Sequence, residues 1–492
     1  MSSALELRRG TYRDSVSLMQ VSRAVSAADG VTKALVAMAT ELNVGLLAGM
    51  GFPTPEGAGP NDLLVAIRAD DDAALARGLE VLEEALVLST GGNSGIGSAA
   101  DVPPRTIRTA ANATPDATLA LISVPGPHAF AEATDALEAG LDVMIFSDNV
   151  PVEHEIRLKD LGRERGLLVM GPDCGTAVVG GVGLGFANTV RSGPIGIVAA
   201  SGTGSQELMS LLHEAGSGIS HCLGVGGRDL SEAVGARSTL QALAMLDADP
   251  ATELIVVVSK PPAAAVAAEV ERYAASLATP VQLAFLGRGR DDLTAAATKA
   301  LVALGREGVQ DRTWFPERTF PPRTGALRGL FCGGTLCDEA MIIAAERLGP
   351  IASNIPLERD WALPGDLRAP GHLMIDFGDD GLTAGRPHPM IDPSLRLDRL
   401  AEELASPATA VLLLDVVLGH GAHAHPAAGV AEVLSAAGPD APAVVISLCG
   451  TDLDPQGLDA QARALAAAGA EVHLSNAEAA RRAVAIVEGL DA

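Results

Sequence analysis

The chain has 492 residues, of which 48% are hydrophobic but only 3% aromatic, and its formal net charge is −26. This length exceeds what one hydrophobic core usually supports, so we expect roughly three or four domains packed from small aliphatic side chains. The acidic balance, without a Lys/Arg-rich block, argues against nucleic acid or an anionic membrane surface as a partner. A small anionic substrate stays open, because salt screens distant surface charge beyond about 8 to 10 Å.

The cysteines are odd in number and form no C-x-x-C pair: Cys174, Cys222, Cys332, Cys337 and Cys449. This pattern is typical of free thiols in a reducing compartment. Residues Met1–Arg9 are polar, and no apolar run reaches the roughly 18 residues that a membrane span needs. We therefore expect a soluble cytoplasmic protein.

The first 95 residues predict a small α+β domain. Apolar residues at helical spacing indicate helices over Ser15–Ala28 and Ala73–Leu88, and β-type runs indicate strands over Lys33–Ala39 and Leu63–Arg68. This order fits a unit of the split βαβ kind. Gly91–Pro104 is rich in Gly, Ser, Asn and Pro, which favours a domain boundary.

The middle of the chain alternates strands and helices, which predicts parallel sheets covered on both faces. The first set has strands over Thr118–Val124, Asp142–Ser147 and Gly166–Met170, with helices over Ala129–Ala139 and Val152–Arg165. A second set of strands follows at Ile195–Ala200, Ile219–Val225, Leu254–Ser259 and Val281–Leu286. Both sets indicate doubly wound domains.

A Pro/Arg-rich, strand-poor linker is expected at Arg312–Arg323, and the α/β pattern resumes after it. The predicted strands are Gly329–Cys332, His372–Phe377, Val411–Val417, Ala443–Leu448 and Ala470–Leu474. Helices are predicted over Ala427–Ala437, Leu458–Ala468 and Ala477–Glu488. The layout repeats that of the middle part without a close internal sequence repeat.

Two glycine-rich junctions, Ala200–Glu207 and Gly419–Pro426, each follow an apolar strand and lead into a helix. A helix start exposes unpaired N–H groups at the positive end of the helix dipole, which favours an anion. Two such junctions predict a clamp that holds one phosphate from both sides. The alternative is that both are ordinary turns between strand and helix.

Several motifs carry a resemblance to known proteins. Met170–Thr176, Ile195–Glu207, Gly224–Leu230 and Leu254–Lys260 resemble the α subunit of succinyl-CoA synthetase, and Val411–Glu432 with Ala443–Leu448 resembles the terminal ligase domain of its β subunit. A fusion of both halves behind a small domain opening Gly10–Ser15 resembles the FdrA family. Asp376–Asp380 and Gly385–Pro393 are further motifs of that kind.

The resemblance implies an α/β protein with four domains. They are a small N-terminal α+β domain (1–95), a Rossmann-like CoA-binding-type domain (96–192), and two flavodoxin-like ligase domains of the succinyl-CoA synthetase type (193–311 and 324–492). In the synthetases, one helix N-terminus from each subunit faces a phosphorylated histidine. The positions that match those helix starts are Ser201, Gly202, Thr203 and Gly204, and Gly419 with Gly421.

The sequence departs from the synthetases at three points. Gly287-Arg288-Gly289-Arg290 replaces the motif that carries the phosphohistidine, and Lys260 stands where a glutamate supports that histidine. An ammonium suits a phosphate that needs charge balance, so the exchange favours direct anion binding. The glycine-rich turn of a CoA site is not evident in residues 1–95, so CoA remains only an option and no cofactor is expected to be required.

The family includes a subunit of oxamate carbamoyltransferase, which converts oxalurate and phosphate into oxamate and carbamoyl phosphate during allantoin breakdown. The resemblance therefore implies a carbamoyltransferase subunit that uses phosphate as substrate and acts with other subunits, and it leaves a homo-oligomer open. A nucleotide-dependent acyl-CoA synthetase is the alternative enzyme. A non-catalytic scaffold that senses an anion is a third interpretation.

That reaction assigns roles to particular residues. The helix starts, with Lys260 or the Gly226-Gly227-Arg228 loop, would hold phosphate, and His420 or His423 would protonate the leaving nitrogen. Arg386 and His388 either bind a substrate carboxylate or tie down a loop. Lys260 and Arg228 are otherwise solvated residues at strand ends.

Three further patterns have an ordinary structural interpretation that we favour. His420, His423 and His425 lack a matching Cys/His or carboxylate pattern, so a zinc site is not expected. Cys174 is either a nucleophile or, as we expect, a packed thiol. Gly180–Gly185 precedes a strand, which favours a hairpin over a dinucleotide loop.

Overall fold

The computed structural model describes residues 2–11, 13, 15–55, 57–88, 104–317, 319–383, 386–438 and 441–489. The chain divides into two compact units, Met1–Pro103 with Thr383–Pro387 and Pro104–Leu382 with His388–Ala492. The domain boundary predicted at residue 95 lies outside the described residues.

The first unit is a three-stranded antiparallel sheet in the order β1-β3-β2 with helices between the strands. Its elements are β1 (Ser2–Arg8), α1 (Ser15–Ser26), β2 (Val31–Met38), α2 (Glu41–Met50), β3 (Leu63–Ala69) and α3 (Asp72–Leu88). The central strand β3 is almost entirely buried. Strand β1 and helix α2 were not predicted, because β1 gains its stability from pairing with the distant β3 and α2 is apolar without a polar stripe.

The second unit begins with a three-stranded parallel sheet, β4-β5-β6, flanked by helices. Its elements are α4 (Ile107–Ala113), β4 (Leu119–Ile122), α5 (Gly126–Glu138), β5 (Asp142–Ile145), α6 (Val152–Arg165) and β6 (Val169–Met170). The predicted Rossmann-like layout is confirmed, with shorter strands than expected.

A six-stranded sheet follows in the order β12-β11-β9-β10-β7-β8. Its elements are β7 (Thr176–Val179), β8 (Val182–Gly185), β9 (Ser192–Ala200), α7 (Gly202–Glu214), β10 (Ile219–Gly224), α8 (Arg237–Ala248), β11 (Leu254–Ser259), α9 (Ala264–Ala274), β12 (Val281–Phe285) and α10 (Leu293–Ala303). The hairpin predicted at Gly180–Gly185 is confirmed. This hairpin pairs with β10, so the sheet reaches back across the boundary expected at residue 192.

A seven-stranded sheet completes the unit in the order β13-β19-β18-β17-β14-β16-β15, parallel except for β13. Its elements are β13 (Thr313–Trp314), β14 (Ala326–Phe331), α11 (Gly334–Leu348), β15 (Ala352–Ser353), β16 (Leu373–Asp376), α12 (Asp380–Thr383), α13 (Ser394–Leu404), β17 (Thr409–Val417), α14 (Pro426–Ser435), β18 (Ala443–Cys449), α15 (Leu458–Ala467), β19 (Glu471–His473) and α16 (Asn476–Glu488). The predicted linker therefore contributes an edge strand, β13, which a pattern of Pro and Arg does not reveal.

Helices α7 and α10 of the six-stranded sheet pack against α11 and α16 of the seven-stranded sheet. Their apolar faces share one hydrophobic core, in which Leu208, Ala297, Leu336 and Ala483 are buried. This shared core fixes the two sheets in one body, so the loops at the ends of β9 and β14 are held in place.

Over the described ranges, no helix is both long enough and apolar enough to cross a membrane.

Candidate functional site

Two helices of the second unit begin immediately after buried strands. Helix α7 starts after β9 with Ser201 as its N-cap, and the Ser201 hydroxyl accepts the Gly204 N–H at 3.0 Å. Helix α11 starts after β14 with Gly333 as its N-cap. The buried Asp415 accepts the Gly333 N–H at 2.8 Å and so fixes the position of this second helix start.

The two helix starts face each other. The Ser201 and Thr335 hydroxyl oxygens lie 2.7 Å apart. A Cβ on Gly333 would lie 2.8 Å from the Thr203 methyl carbon, and a Cβ on Gly204 would lie 2.9 Å from that of Thr335. Only glycine permits this close approach. We call residues 201–204 and 333–335, together with Lys260 and Asp376, the helix-start site.

Backbone donors remain available at this place. The N–H groups of Gly202, Thr203, Gly334 and Thr335 form no hydrogen bond with any residue that the structure describes. They lie at the positive ends of two helix dipoles, which together favour a negatively charged group. The arrangement provides donors from two directions to one small anion.

The predicted second half of the clamp is wrong. Helix α14 begins only at Pro426, and the Gly419 N–H donates to the Gln456 side chain at 3.0 Å. The His420 N–H donates to the Ala187 carbonyl at 2.8 Å, while Gly421 packs against Phe186. Gly419 and Gly421 therefore lie in the loop before α14 and form no helix start.

The residues that the sequence reasoning missed are Gly333, Gly334 and Thr335. The signal was present, since the glycine pair directly follows the strand predicted at Gly329–Cys332. No helix was predicted after that strand, so the junction was not recognised as a helix start.

Lys260 lies at the end of β11 and is drawn into the helix-start site. Its Nζ is 3.2 Å from the Asp338 carboxylate and would be 2.9 Å from a Cβ on Gly334. Burial lowers the pKa of Lys260, but Asp338 and Asp376 outweigh burial and leave this pKa above its ordinary value. Because its pKa stays high, the side chain is a charged ammonium. It is 40% exposed, so a ligand can reach it.

Asp376 ends β16 directly beneath the start of α11. Its Oδ2 would lie 2.6 Å from a Cβ on Gly334, and its Oδ1 accepts the Gly378 N–H at 2.9 Å. Asn354 binds both backbone groups of Asp376, at 2.9 and 3.0 Å, and fixes its position. Burial raises the pKa of Asp376 to about 7, although Lys260 opposes this shift. Near neutral pH this carboxyl group can therefore give or take a proton.

His388 is a half-buried, neutral histidine. Burial lowers its pKa to about 4, and its Nδ1 accepts the Met390 N–H at 3.2 Å. Its ring lies 5.3 Å from that of Phe186, and its Nε2 would be 2.8 Å from a Cβ on Gly378. His388 therefore lies beside Gly378, which is two residues along the chain from Asp376. Arg386 belongs to the first unit, and its proposed role stays a sequence prediction.

The predicted phosphate-binding loop Gly226-Gly227-Arg228 has a structural role. A Cβ on Gly226 would lie 2.4 Å from the Pro172 carbonyl oxygen, and the φ of Gly226 is +88°. The buried Lys159 ammonium donates to the Val225 carbonyl and fixes the start of this loop. Arg228 pairs with Glu155 at 2.9 Å and donates to Val150 at 2.8 Å. Protein acceptors therefore hold part of its guanidinium, and its role in holding phosphate stays a sequence prediction.

The predicted proton donors contact other parts of the protein. His420 Nε2 lies 3.2 Å from the Thr189 hydroxyl, and His423 Nδ1 accepts the His425 N–H at 3.0 Å. Asp376 is a titrating group that the structure places beside the start of α11, and Asp338 of the same helix contacts Lys260. The expected packed thiol at Cys174 is confirmed, since it is buried and burial raises its pKa far above the ordinary value.

Comparison with known proteins places the chain in a family. Residues 1–101 match the family described as AllF, heavy metal-associated domain, and residues 330–486 match the CoA-ligase family. The Uncharacterized protein YahF of Escherichia coli K12 is 43% identical over 496 residues, covering 95% of each chain. The chain belongs to the FdrA/AllF family. It is an FdrA-type protein related to acyl-CoA synthetases.

More distant similarities cover parts of this FdrA-type chain. The mitochondrial succinate–CoA ligase [ADP-forming] subunit alpha-2 of Trichomonas vaginalis is 31% identical over 150 residues, covering 30% of this chain and 47% of that subunit. The dinucleotide-forming acetyl-coenzyme A synthetase 1 of Ca. Korarchaeum cryptofilum, in complex with phosphate and ADP, is 17% identical, with a TM-score of 0.31 and coverage of 84% and 93% of the two chains.

The first domain of this FdrA-type chain matches a family described as heavy metal-associated, but residues 1–101 lack the usual ligands of such metals. The first cysteine of the chain is Cys174 and the first histidine is His128, so residues 1–101 contain neither. These are the side chains that soft metals prefer. Among the described residues, no group of three or more His, Cys, Asp or Glu side chains is placed to hold a metal ion.

The turn after β4, at the start of the Rossmann-like sheet, is closely packed and offers few backbone donors. Pro125 is the N-cap of α5 and Pro127 follows in its first turn, so two backbone donors are missing. A Cβ on Gly126 would lie 2.2 Å from the Asp148 carbonyl oxygen. The space at this glycine is filled by the protein's own backbone.

The loop that replaces the phosphohistidine motif is held on the protein. Arg288 pairs with Glu358 at 2.9 Å, and its guanidinium lies 5.3 Å from the centre of the Trp361 ring. The departure noted in the sequence therefore corresponds to an arginine engaged by a carboxylate and an aromatic ring.

Proposed function

We propose that the helix-start site binds phosphate and that the chain is a subunit of an oxamate carbamoyltransferase, which cleaves oxalurate with phosphate to give oxamate and carbamoyl phosphate. The observation that carries this proposal is the pair of opposed helix starts, with free N–H groups on both sides and the Lys260 ammonium beside them. Membership of the FdrA/AllF family supports it.

The reaction requires two anions to approach each other. A phosphate oxygen attacks the ureido carbonyl carbon of oxalurate, and the bond from this carbon to the oxamate nitrogen breaks. Negative charge develops on the carbonyl oxygen during the attack. The helix-start N–H groups and Lys260 reduce the repulsion by holding phosphate in a fixed position, which lowers the barrier through orientation and electrostatics.

The leaving oxamate nitrogen needs a proton. We assign this proton to the Asp376 carboxyl group, because it lies at the start of α11 and its pKa of about 7 leaves a large protonated fraction near neutral pH. An anion bound at the same helix start would favour the protonated form further, since like charges repel. A donor with a pKa near the working pH is suited to general acid catalysis.

The second candidate function is an acyl-CoA ligase of the NDP-forming type. The matches to CoA-ligase families favour it. The missing histidine at residues 287–290 and the closed turn at Gly126 argue against that chemistry in this chain. In our proposal the chain works in the cytoplasm with other subunits, and phosphate is a substrate.

The proposal is tested with the full chain, alone and co-expressed with the products of its neighbouring genes. We expect carbamoyl phosphate, observed by ³¹P NMR, from oxalurate and phosphate only in the co-expressed complex. Turnover that depends on ADP and CoA would identify the ligase instead. Phosphate binding without turnover in either preparation would favour an anion-sensing scaffold.

A further inference from the structure

Two buried glutamates lie at matching positions in the helices that form the helix-start site. Glu207 is the sixth residue of α7, and Glu339 is the sixth residue of α11. Their exposed fractions are 0% and 1%. Ionisable side chains are almost never buried this deeply without a specific partner.

Each glutamate caps a helix that belongs to the other sheet. Glu207 Oε1 accepts the first N–H of α16, from Asn476, at 2.8 Å. Glu339 Oε1 accepts the first N–H of α10, from Leu293, at 2.6 Å, and its Oε2 accepts the Asn476 side-chain amide at 2.7 Å. The two contacts of Asn476 join α7 and α11 through one asparagine, just below the helix-start site. We call Glu207, Asn476 and Glu339 the glutamate junction.

The glutamate junction has fewer donors than acceptors. Glu207 Oε2 and the Asn476 side-chain oxygen are both buried without a hydrogen-bond partner within bonding distance among the described residues, and the neighbouring Cys449 thiol is only a weak donor to Glu207. If both glutamates were ionised, every oxygen here would be an acceptor. A proton on one carboxyl group supplies the missing donor and removes a like-charge repulsion.

The charged groups around the junction do not neutralise it. Asp292 of the α10 N-cap and Arg481 of α16 act on Glu339 in opposite senses, and they pair with each other. Asp311 acts on Glu207, as does the Cys449 thiol. Burial raises the pKa of Glu207 to about 8 and that of Glu339 to about 7, and the bonds from the capped N–H groups only partly oppose this.

We propose that the glutamate junction holds a proton at neutral pH, and that loss of this proton loosens α7 against α11 and weakens anion binding at the helix-start site. The inference rests on the proposed function, because it concerns regulation of the same site. Alkaline conditions would then lower the occupancy of the site through a group that never touches the ligand.

The test measures sulfate affinity of the full chain by calorimetry between pH 6.5 and 8.5, because sulfate stays a dianion over this range. Asp376 also titrates here, so the comparison is between Glu207→Gln and Glu271→Gln, an exposed control on α9. We expect the control to lose affinity with rising pH, by up to about tenfold per pH unit where one proton is released. Glu207→Gln should lose clearly less, and Glu339→Gln should behave similarly.

Amide hydrogen exchange of the first turns of α10 and α16 is the second measurement. After correction for intrinsic rates, exchange should rise between pH 6.5 and 8.5 in Glu271→Gln and stay level in Glu207→Gln. Equal pH responses in these two variants, in both measurements, would overturn the glutamate junction. Absence of sulfate binding at every pH would instead overturn the proposed anion site, and the exchange comparison would still decide the junction.

Discussion

The Ser201 hydroxyl, at the start of one helix, lies 2.7 Å from the Thr335 hydroxyl, at the start of another. The two residues are far apart in the sequence. Ser201 follows β9 and Thr335 follows β14, and these strands belong to different sheets. Their contact shows that both helix dipoles point toward the same small volume. A ligand between them would meet N–H groups from both sheets at once.

Gly334 should be essential for anion binding. In Gly334→Ala the new Cβ would lie 2.6 Å from Asp376 Oδ2 and 2.9 Å from Lys260 Nζ, so both side chains would have to move. We expect sulfate affinity, measured by calorimetry, to fall at least about tenfold while the fold survives. Gly365→Ala is the control, because its Cβ meets no atom within 4 Å. Equal affinities in the two variants would contradict the assignment.

Lys260 should contribute most of the positive side-chain charge at the site. We expect Lys260→Met to weaken sulfate binding by about 10- to 100-fold, since a hydrogen bond to a charged group contributes about 1.5 to 3 kcal/mol. Lys299→Met is the matched control, because Lys299 pairs with Asp291 on the surface. Unchanged affinity in Lys260→Met would show that the ammonium serves Asp338 alone.

Asp415 should be a main determinant of stability near the site. It accepts the Cys332 and Gly333 N–H groups at 2.8 Å each and pairs with the buried Arg396 at 2.7 Å. Asp415→Ala leaves an unpaired buried guanidinium, so the free energy of unfolding should fall by about 3 to 5 kcal/mol in urea titrations. Arg368→Ala breaks the exposed pair with Glu402 and should cost only about 0 to 1 kcal/mol.

The pH dependence of activity should report on Asp376. Its pKa of about 7 lies above the ordinary value of 3.8, so the folded protein binds an extra proton between these pH values. Stability from this group is complete at low pH and is lost as pH rises through about 7. Carbamoyl transfer should decline over the same rise, because the proton donor is then ionised.

Asp376→Asn separates the two consequences of that pKa. It should lower the rate of carbamoyl phosphate formation by about 10²- to 10⁴-fold and remove the corresponding part of the pH dependence of stability. If the rate follows an unchanged pH profile in this variant, another group supplies the proton.

The sequence by itself determined the α/β class, because the alternation of apolar strands with helices is local and strong. Val411–Leu414 and Leu254–Val258 are continuous apolar runs, and both lie in buried parallel strands. The first helix start was also visible, since Ser201 is a typical N-cap and glycines surround it. Several motifs together, among them Met170–Thr176, Ile195–Glu207 and Val411–Glu432, carried the family resemblance.

Only the tertiary structure decided which second loop faces Ser201. The Gly419–Gly421 junction and the Gly333–Thr335 junction both follow strands with glycine, but strand order places β14, and with it α11, opposite α7. Burial of Asp376, Glu207 and Glu339 likewise depends on packing between the two sheets. The sequence does not show whether water or protein surrounds a carboxylate, and these surroundings set its pKa.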